Sequence, residues 1–292
     1  MLVYDIGKHI FLKAAYSKMQ QNVHLLTNSG VGYQNDIWVP STDKVKPQKS
    51  EQWALGISKY LNKLDLEISM EAYYKIMTQL IDYKEGANII SSNANWEKSL
   101  EINGMGLSKG LEFFIHKKFG RVNGFMSYTL SNTVRRFTNI NDGEIYPFRY
   151  DSPHNFATTF NYQINKKWDF SGTWVFKTGE PITLPIYTIE SPSATSTLSP
   201  VYFIYSKRNE YRLPNYHRLD VAINRTFYSS KNNKSLLTFS VFNAYNRSNV
   251  FYIIVVNERF QNAQTGKDDI RQKLKEKSLF PILPSISYSK SF

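Results

Sequence analysis

The chain has 292 residues, of which 15% are aromatic and 41% hydrophobic, and its mean hydropathy is −0.42. This aromatic content argues against disorder, and no apolar stretch reaches the length of about 18 residues that a transmembrane helix needs. The net charge of +12 comes from Lys and Arg scattered through predicted loops, which predicts no nucleic-acid partner. Cysteine is absent, so disulfides, thiol nucleophiles and cysteine-based zinc sites are excluded.

Ten segments alternate apolar residues with small or polar ones, the pattern of a strand that buries one face. In 155–164, for example, Phe156, Phe160 and Tyr162 share one face, and Asn155 and Asn161 lie on the other. The ten predicted strands are 9–17, 51–60, 65–75, 110–118, 122–132, 155–164, 168–177, 217–227, 235–245 and 280–292.

The polar faces of these strands are too hydrophilic for a protein core. In 65–75 the polar face carries Asp65, Glu67 and Glu71, which suits a water-filled lumen better than the interior of a second sheet. Aromatic residues at the ends of the apolar faces, such as Trp168 and Phe176, fit the girdles of a membrane barrel. The alternative is a soluble β-rich binding module, but its exposed apolar stripes would exceed the patches that soluble proteins tolerate.

Short and long connections alternate along the chain. Short turns fall at 61–63, 119–121, 165–167 and 229–234, and long connections at 18–50, 80–109, 133–153, 179–216 and 257–279. Outer-membrane barrels combine short periplasmic turns with long extracellular loops in this way. The sequence therefore predicts an all-β, antiparallel transmembrane β-barrel portion of about ten strands, with a single domain over 1–292 and the long loops outside the cell.

Several motifs occur within these strands. The last segment places Ile286 and Tyr288 at alternate positions before a terminal Phe292, which resembles the assembly signal of outer-membrane barrels. The internal motifs, in chain order, are Lys-Pro-Gln-Lys-Ser-Glu-Gln-Trp-Ala-Leu-Gly (46–56), Ser-Lys-Gly-Leu-Glu-Phe (108–113), Ser-Tyr-Thr-Leu-Ser (127–131), Tyr-Asp-Ser-Pro-His-Asn (150–155), Tyr-Arg-Leu-Pro-Asn-Tyr-His-Arg-Leu-Asp (211–220) and Phe-Asn-Ala-Tyr-Asn-Arg (242–247).

Together these motifs resemble those of TonB-dependent receptors, of the nutrient-uptake kind with a carboxypeptidase-like regulatory N-terminal domain. Gln48 stands where Glu is commoner, and Ser152-Pro153 departs from the family pattern. The resemblance implies the C-terminal part of a 22-stranded barrel whose plug domain, TonB box and signal peptide are missing here. We therefore expect a truncated gene or a fragment that is not competent alone. The alternative is a self-contained ten-stranded barrel that acts as an adhesin or protease.

The resemblance also implies partners and a location. The parent receptor is expected in the cell outer membrane, in contact with lipid and the barrel-assembly machinery, and with TonB only through the absent plug. Its ligand is expected to be a small molecule or oligosaccharide, of the siderophore, cobalamin or oligosaccharide class. The expectation is no enzyme, no cofactor and no metal site, because His residues are dispersed and no nucleophile or phosphate-binding motif occurs. For a protease the candidates are Asp142, Glu144, Asp151 and His154, for which turn and hydrogen-bond roles are favoured.

Aromatic side chains in the predicted extracellular segments are candidates for stacking on a ligand, although packing of the loops against each other is the favoured interpretation for any single one of them. His116 and His217 are expected to face the lumen. The ligand-binding candidates are Tyr33, Trp38, Trp96, Tyr146, Phe148, Tyr187 and Tyr202.

Overall fold

The computed structural model describes residues 1–28, 30, 36–87, 96–190, 201–205, 207–228, 234–261 and 268–290. Within these ranges the side chains of 187–190, 201–203, 257, 260 and 268–272 are not described.

Twenty strands lie in the described residues, together with three short 3-10 helices at Asn62–Leu64, Trp96–Ser99 and Asn141–Gly143. The strands in chain order are β1 (Leu2–Gly7), β2 (Ile10–Gln21), β3 (Val23–Thr27), β4 (Asp36–Pro40), β5 (Gln48–Leu61), β6 (Leu66–Tyr83), β7 (Leu100–Lys117), β8 (Val122–Arg136), β9 (Tyr146–Pro147), β10 (His154–Gln163), β11 (Trp168–Lys177), β12 (Pro181–Ile182), β13 (Pro185–Glu190), β14 (Val201–Tyr205), β15 (Tyr211–Arg212), β16 (Tyr216–Tyr228), β17 (Lys234–Phe242), β18 (Val250–Gln261), β19 (Asp268–Ser278) and β20 (Leu283–Lys290).

One antiparallel sheet forms a wall in the order β1-β2-β5-β6-β7-β8-β10-β11-β16-β17-β20, with β9 paired to β8. Each of the ten predicted strands lies in this wall, so the all-β, antiparallel fold class is confirmed. The eleventh wall strand, β1, was not predicted. Its six residues are too short for their alternation to stand out, and only pairing with β2 reveals them as a strand.

Strand register separates the two faces of the wall. Ile68 on β6 lies opposite Ile115 on β7. Farther along the wall, Phe156 on β10 lies opposite Phe176 on β11. These residues belong to one apolar face, which carries an exposed aromatic row of Tyr16, Trp53 and Tyr74. The apolar face fits the lipid, as predicted.

The opposite face is polar. The Asn224 amide nitrogen donates to Asp169 at 2.7 Å, and the Thr238 hydroxyl donates to the Asn224 amide oxygen at 2.7 Å, which links three neighbouring strands. His116 lies on this face opposite Glu67, as predicted. His217 does not, because its register opposite Phe176 places it on the apolar face, where its Nδ1 lies 2.7 Å from the Tyr245 hydroxyl.

Three of the five long connections contain β-hairpins of their own. β3–β4, β13–β14 and β18–β19 are three such hairpins, and β12 pairs with β15. β6 and β7 extend to 18 residues each, well beyond the roughly 10 residues that span a bilayer. We call the end of the wall that carries these hairpins the loop end, and the opposite end, with the short connections, the turn end.

The best-buried apolar residues lie at the loop end rather than in the middle of the wall. One cluster packs Leu26 of β3 and Val39 of β4 against Ile81 and Tyr83 of β6. A second joins Leu80, Phe137, Ile140 and Tyr146. Both clusters fix the hairpins and connections onto the tall part of the wall. No helix in the described residues is long and apolar enough to cross a membrane.

Candidate functional site

Asp82, near the loop end of β6, is the centre of a buried charged network. Its carboxylate is 6% exposed and accepts hydrogen bonds from Arg208 Nη2 at 2.7 Å and from the Tyr146 hydroxyl at 2.8 Å. Arg135 Nη1 lies 3.8 Å from the same carboxylate, and its guanidinium stacks 3.8 Å from the ring centre of Phe148. Two cations therefore share one anion, which ties β6, β8 and the segment before β15 together.

A second buried carboxylate, Asp151, joins two of the sequence motifs. It accepts hydrogen bonds from the backbone N–H of Thr133 at 2.6 Å and from Arg212 Nη2, with which it forms an ion pair. Arg212 Nη1 also donates to the carbonyls of Asp151 at 3.0 Å and Gly179 at 3.2 Å. The motifs at 150–155 and 211–220, more than fifty residues apart, thus meet in one contact.

A third pair fixes the connection after β11. Arg149 is buried and bridges to Glu180 at 2.8 Å, while its Nη1 also donates to the Pro181 carbonyl at 3.3 Å. Next to it the Tyr150 hydroxyl donates to Asp36 on β4. Buried charges that are paired and hydrogen-bonded specify one arrangement, because any other leaves a charge without a partner in a dry environment.

Burial sets the protonation of the tyrosines in this network, which lie beyond the membrane-spanning parts of the strands. It raises the pKa of Tyr83 to about 12, with Asp82 adding to the rise. Burial also raises the pKa of Tyr146, again assisted by Asp82. Tyr146 therefore stays protonated, and remains a donor to Asp82, at higher pH than an exposed tyrosine would.

The polar face holds a cavity of about 520 Å³ at the loop end, a volume typical of small-molecule sites. Arg218 anchors one side: it donates to Asp220 at 3.0 Å and to the Tyr216 hydroxyl at 2.8 Å, and its guanidinium lies 4.0 Å from the ring centre of Phe242. The lining includes Lys177, Glu180, Pro214, Arg218, Phe242 and Phe280. The cavity combines aromatic faces with oriented charges, which can hold a ring-containing or anionic ligand.

The cavity is built from two sequence motifs. Asp220 also accepts a hydrogen bond from the backbone N–H of Asn243 at 2.9 Å, and Asn243 donates to the carbonyl of Phe280 at 3.2 Å. The motifs at 211–220 and 242–247 therefore fix each other and the segment before β20. The sequence singled out these motifs but could not place them around a cavity, since their contacts connect three different strands.

The structure places the aromatic candidates in different surroundings. Trp38 on β4 is 60% exposed and presents its ring at the loop end. Trp96 packs against the cluster of Leu26 and Val39, and Tyr146 is buried against Asp82. Phe148 is half-buried between Arg135 and Tyr150. The ligand-binding roles stay a prediction, with Trp38 the most accessible of these four rings.

Other candidates lie outside what the structure describes. The side chains of Tyr187 and Tyr202 are not described, although their backbones belong to paired strands β13 and β14. Tyr33 and Phe292 lie outside the described residues altogether. Of the assembly-signal residues, Ile286 and Tyr288 are on the apolar face of β20, opposite Phe239 and Leu237.

The protease candidates do not form a common constellation. Asp151 is paired with Arg212, His154 Nδ1 lies 2.8 Å from the Tyr128 hydroxyl, and Glu144 bridges to Lys207 at 2.9 Å. Asp142 lies in a 3-10 turn with a left-handed backbone. Among the described residues, no group of three or more His, Asp or Glu side chains could hold a metal ion.

Comparison with known proteins identifies the class. The family model described as TonB dependent receptor-like, beta-barrel, matches residues 1–246. The chain belongs to this family, whose members are outer-membrane receptors for transport rather than enzymes. No curated protein sequence matches the chain.

Solved receptors share the fold. The chain is similar to the ferric-catecholate import receptor Fiu of Escherichia coli K12, with a TM-score of 0.58, 12% identity and coverage of 99% of this chain and 34% of that one. It is also similar to the ferripyoverdine receptor of Pseudomonas aeruginosa, with a TM-score of 0.53, 12% identity and coverage of 85% of this chain and 29% of that one. For the outer-membrane transporter YddB of Escherichia coli the TM-score is 0.53 and the identity 10%, with coverage of 99% of this chain and 40% of that one. The chain thus spans roughly a third of the length of these receptors.

Proposed function

We propose that these residues form wall and extracellular loops of an outer-membrane receptor that imports a scarce nutrient. Membership of the TonB-dependent receptor family carries the proposal. The polar inner face, the apolar outer face and the cavity at the loop end support it, because they supply an aqueous passage, a lipid surface and a place for a ligand. In this arrangement the loop end is extracellular and the turn end is periplasmic.

The substrate belongs to the siderophore, cobalamin or oligosaccharide class, and the cavity favours an aromatic or anionic chelate. Arg218 and Lys177 bring positive charge to the lining, although each forms an ion pair, with Asp220 and Glu180 respectively, while Phe242 offers a ring face. Two of the similar receptors carry iron chelates in their names, the ferric-catecholate and ferripyoverdine receptors, which points to the siderophore class. The exposed Trp38 would make first contact with such a ligand.

Gating and coupling to TonB belong, in this proposal, to a plug domain outside the 292 residues. The described residues supply the wall, the hairpins and their charged network. Buried ion pairs hold these parts in one arrangement, and none of these contacts is a hinge. The 292 residues expressed alone are therefore expected to show no energy-dependent uptake. Uptake by that chain, abolished by an uncoupler, would contradict this part of the proposal.

The test uses cells that lack the gene and are complemented with the full-length receptor. Uptake of labelled ferric siderophores, cobalamin and oligosaccharides is measured with and without an uncoupler. The Phe242→Ala variant should reduce uptake of the imported compound by up to about tenfold, because a stacking face in the cavity is lost. Phe239→Leu, on the apolar face of the same strand, is the matched control and should retain uptake. Equal uptake by both variants would exclude the cavity as the ligand site.

A further inference from the structure

The turn end of the wall is strongly basic. Between the wall strands, the four described turns at 8–9, 62–65, 118–121 and 164–167 contain one carboxylate, Asp65. Of the basic residues there, only Lys118 forms an ion pair within the described part of the chain, 3.8 Å from Glu67. The basic residues of these turns are Lys8, Lys63, Lys118, Arg121, Lys166 and Lys167.

Two of these turns border an open surface concavity of about 540 Å³. Its lining contains Lys8 from the first turn, Lys59 at the end of β5 and Lys63 from the second turn, and no carboxylate. Leu61 and Leu64 complete the apolar part of the lining. Three lysines thus border one surface concavity beside apolar side chains, which matches a ligand that is anionic at one end and apolar at the other.

The two turns are fixed to each other. The backbone N–H of Tyr60 donates to the His9 carbonyl at 3.0 Å, and the Asn62 amide nitrogen lies 2.8 Å from His9 Nε2. The site is therefore held together by contacts between the turns as well as by the strands.

The first turn has a conformation that is costly for its residues. Lys8 and His9 have φ values of 55° and 59°, the left-handed region that Asn and Gly adopt at much lower cost. A tight turn of this kind could be made more stable with Asn at position 8. Lys8, on the edge of the concavity, therefore lowers local stability. Residues that are kept despite such a cost are common at functional sites.

Exposed apolar side chains lie near the site at the same end of the wall. Leu64 is 55% exposed, and Phe119 in the third turn is 65% exposed between Lys118 and Arg121. Farther along the same end, Arg225 lies over the rings of Trp168 and Phe227, at 5.2 and 4.8 Å. Cations interleaved with exposed apolar side chains are the pattern of a surface that sits in a headgroup layer.

We propose that the cavity of Lys8, Lys59 and Lys63 binds the phosphodiester headgroup of an anionic phospholipid, with an acyl chain along Leu61 and Leu64. The inference rests on the proposed placement of the wall in a bilayer, with the turn end at the phospholipid leaflet. The three lysines neutralise the phosphate, and the adjoining apolar surface distinguishes a lipid from free phosphate. The neighbouring basic turns raise the local concentration of anionic lipid without forming the site.

The experiment uses the receptor as cells produce it, purified in detergent and shown to be a folded barrel by heat-modifiable migration. Native mass spectrometry measures binding of added phosphatidylglycerol and, separately, phosphatidylethanolamine. The cavity variant is Lys8→Asn/Lys59→Gln/Lys63→Gln, in which Asn also relieves the strained turn. The matched control, Arg121→Gln/Lys166→Gln/Lys167→Gln, removes the same charge from the same end but leaves the cavity intact.

The wild type should bind phosphatidylglycerol on the order of a hundredfold tighter than phosphatidylethanolamine, since each of the three cations near an anionic headgroup contributes about fivefold. The cavity variant should lose this preference, the control should keep it, and inorganic phosphate should fail to displace the lipid. Absence of a preference in the wild type, an equal loss in both variants, or full displacement by phosphate would each overturn the proposal. The cavity variant should still import substrate, so failure here is distinct from failure of the transport function.

Discussion

Replacing Asp82 by Asn is expected to loosen the loop end while leaving the wall intact. The substitution keeps the shape and one acceptor oxygen but removes the negative charge that Arg135 and Arg208 share, and the side chains of these two arginines are 12% and 14% exposed. Breaking a buried ion pair by removing one partner typically costs about 3–5 kcal/mol, because the remaining charge stays desolvated. Here two cations would also repel each other, so we expect the cost to lie within that range.

The expected loss can be measured by hydrogen exchange in the detergent-solubilised receptor. A local cost of about 3 kcal/mol makes amides of the network segments exchange roughly a hundredfold faster, while strands near the turn end keep their protection. Glu144→Gln is the matched control, since it removes the exposed ion pair with Lys207 and should change exchange little. Exchange in Asp82→Asn that equals that of the control would refute the assignment of Asp82 as the centre of the network.

Three further predictions concern the lipid-facing side of the wall, the close contact at Gly179 and the titration of Tyr83. Ile286→Lys puts a charge on the lipid face and should cost about 2–4 kcal/mol and reduce heat-modifiable barrel, whereas Ser285→Lys, on the polar face, should be tolerated. Gly179→Ala would place a Cβ 1.6 Å from the Leu213 carbonyl oxygen, so the connection must move, and protease resistance of the loop end should fall. Because the pKa of Tyr83 rises from its usual 10.0 to about 12 in the fold, its contribution to stability is complete below pH 10 and is lost as pH rises towards 12. Phenolate absorbance and hydrogen exchange of the loop-end amides, followed together, should change in that window. Faster loop-end exchange already below pH 9 would contradict ionisation of Tyr83 as the cause.

The outer face of the wall was predictable because its signal is local. Alternation such as Phe156, Phe160 and Tyr162 requires only that successive residues of a strand point to opposite sides. Exceptions arise where the pattern is interrupted or short. His217 is a polar residue within an apolar face, where Tyr245 supplies its partner, and β1 is too short to be distinguished without β2.

The candidate site was predictable only in part. The sequence indicated that the motifs around Asp151 and Arg212 mattered, and the structure shows that the two residues form a buried pair. Tyr146, an aromatic residue in a predicted loop, gave no sign that it would be buried against Asp82. Exposure of a loop ring depends on how distant segments pack, which composition does not reveal.

By itself, the sequence determined the class of fold, the positions of the ten longer wall strands and the orientation of their apolar faces, since period-two alternation is written residue by residue. The tertiary structure alone decided which charges are buried together, which hairpins lie in the long connections, and that Lys8, Lys59 and Lys63 line one concavity. These contacts join residues that are far apart in the chain. Their energies depend on distance and desolvation in space, and no local pattern encodes either quantity.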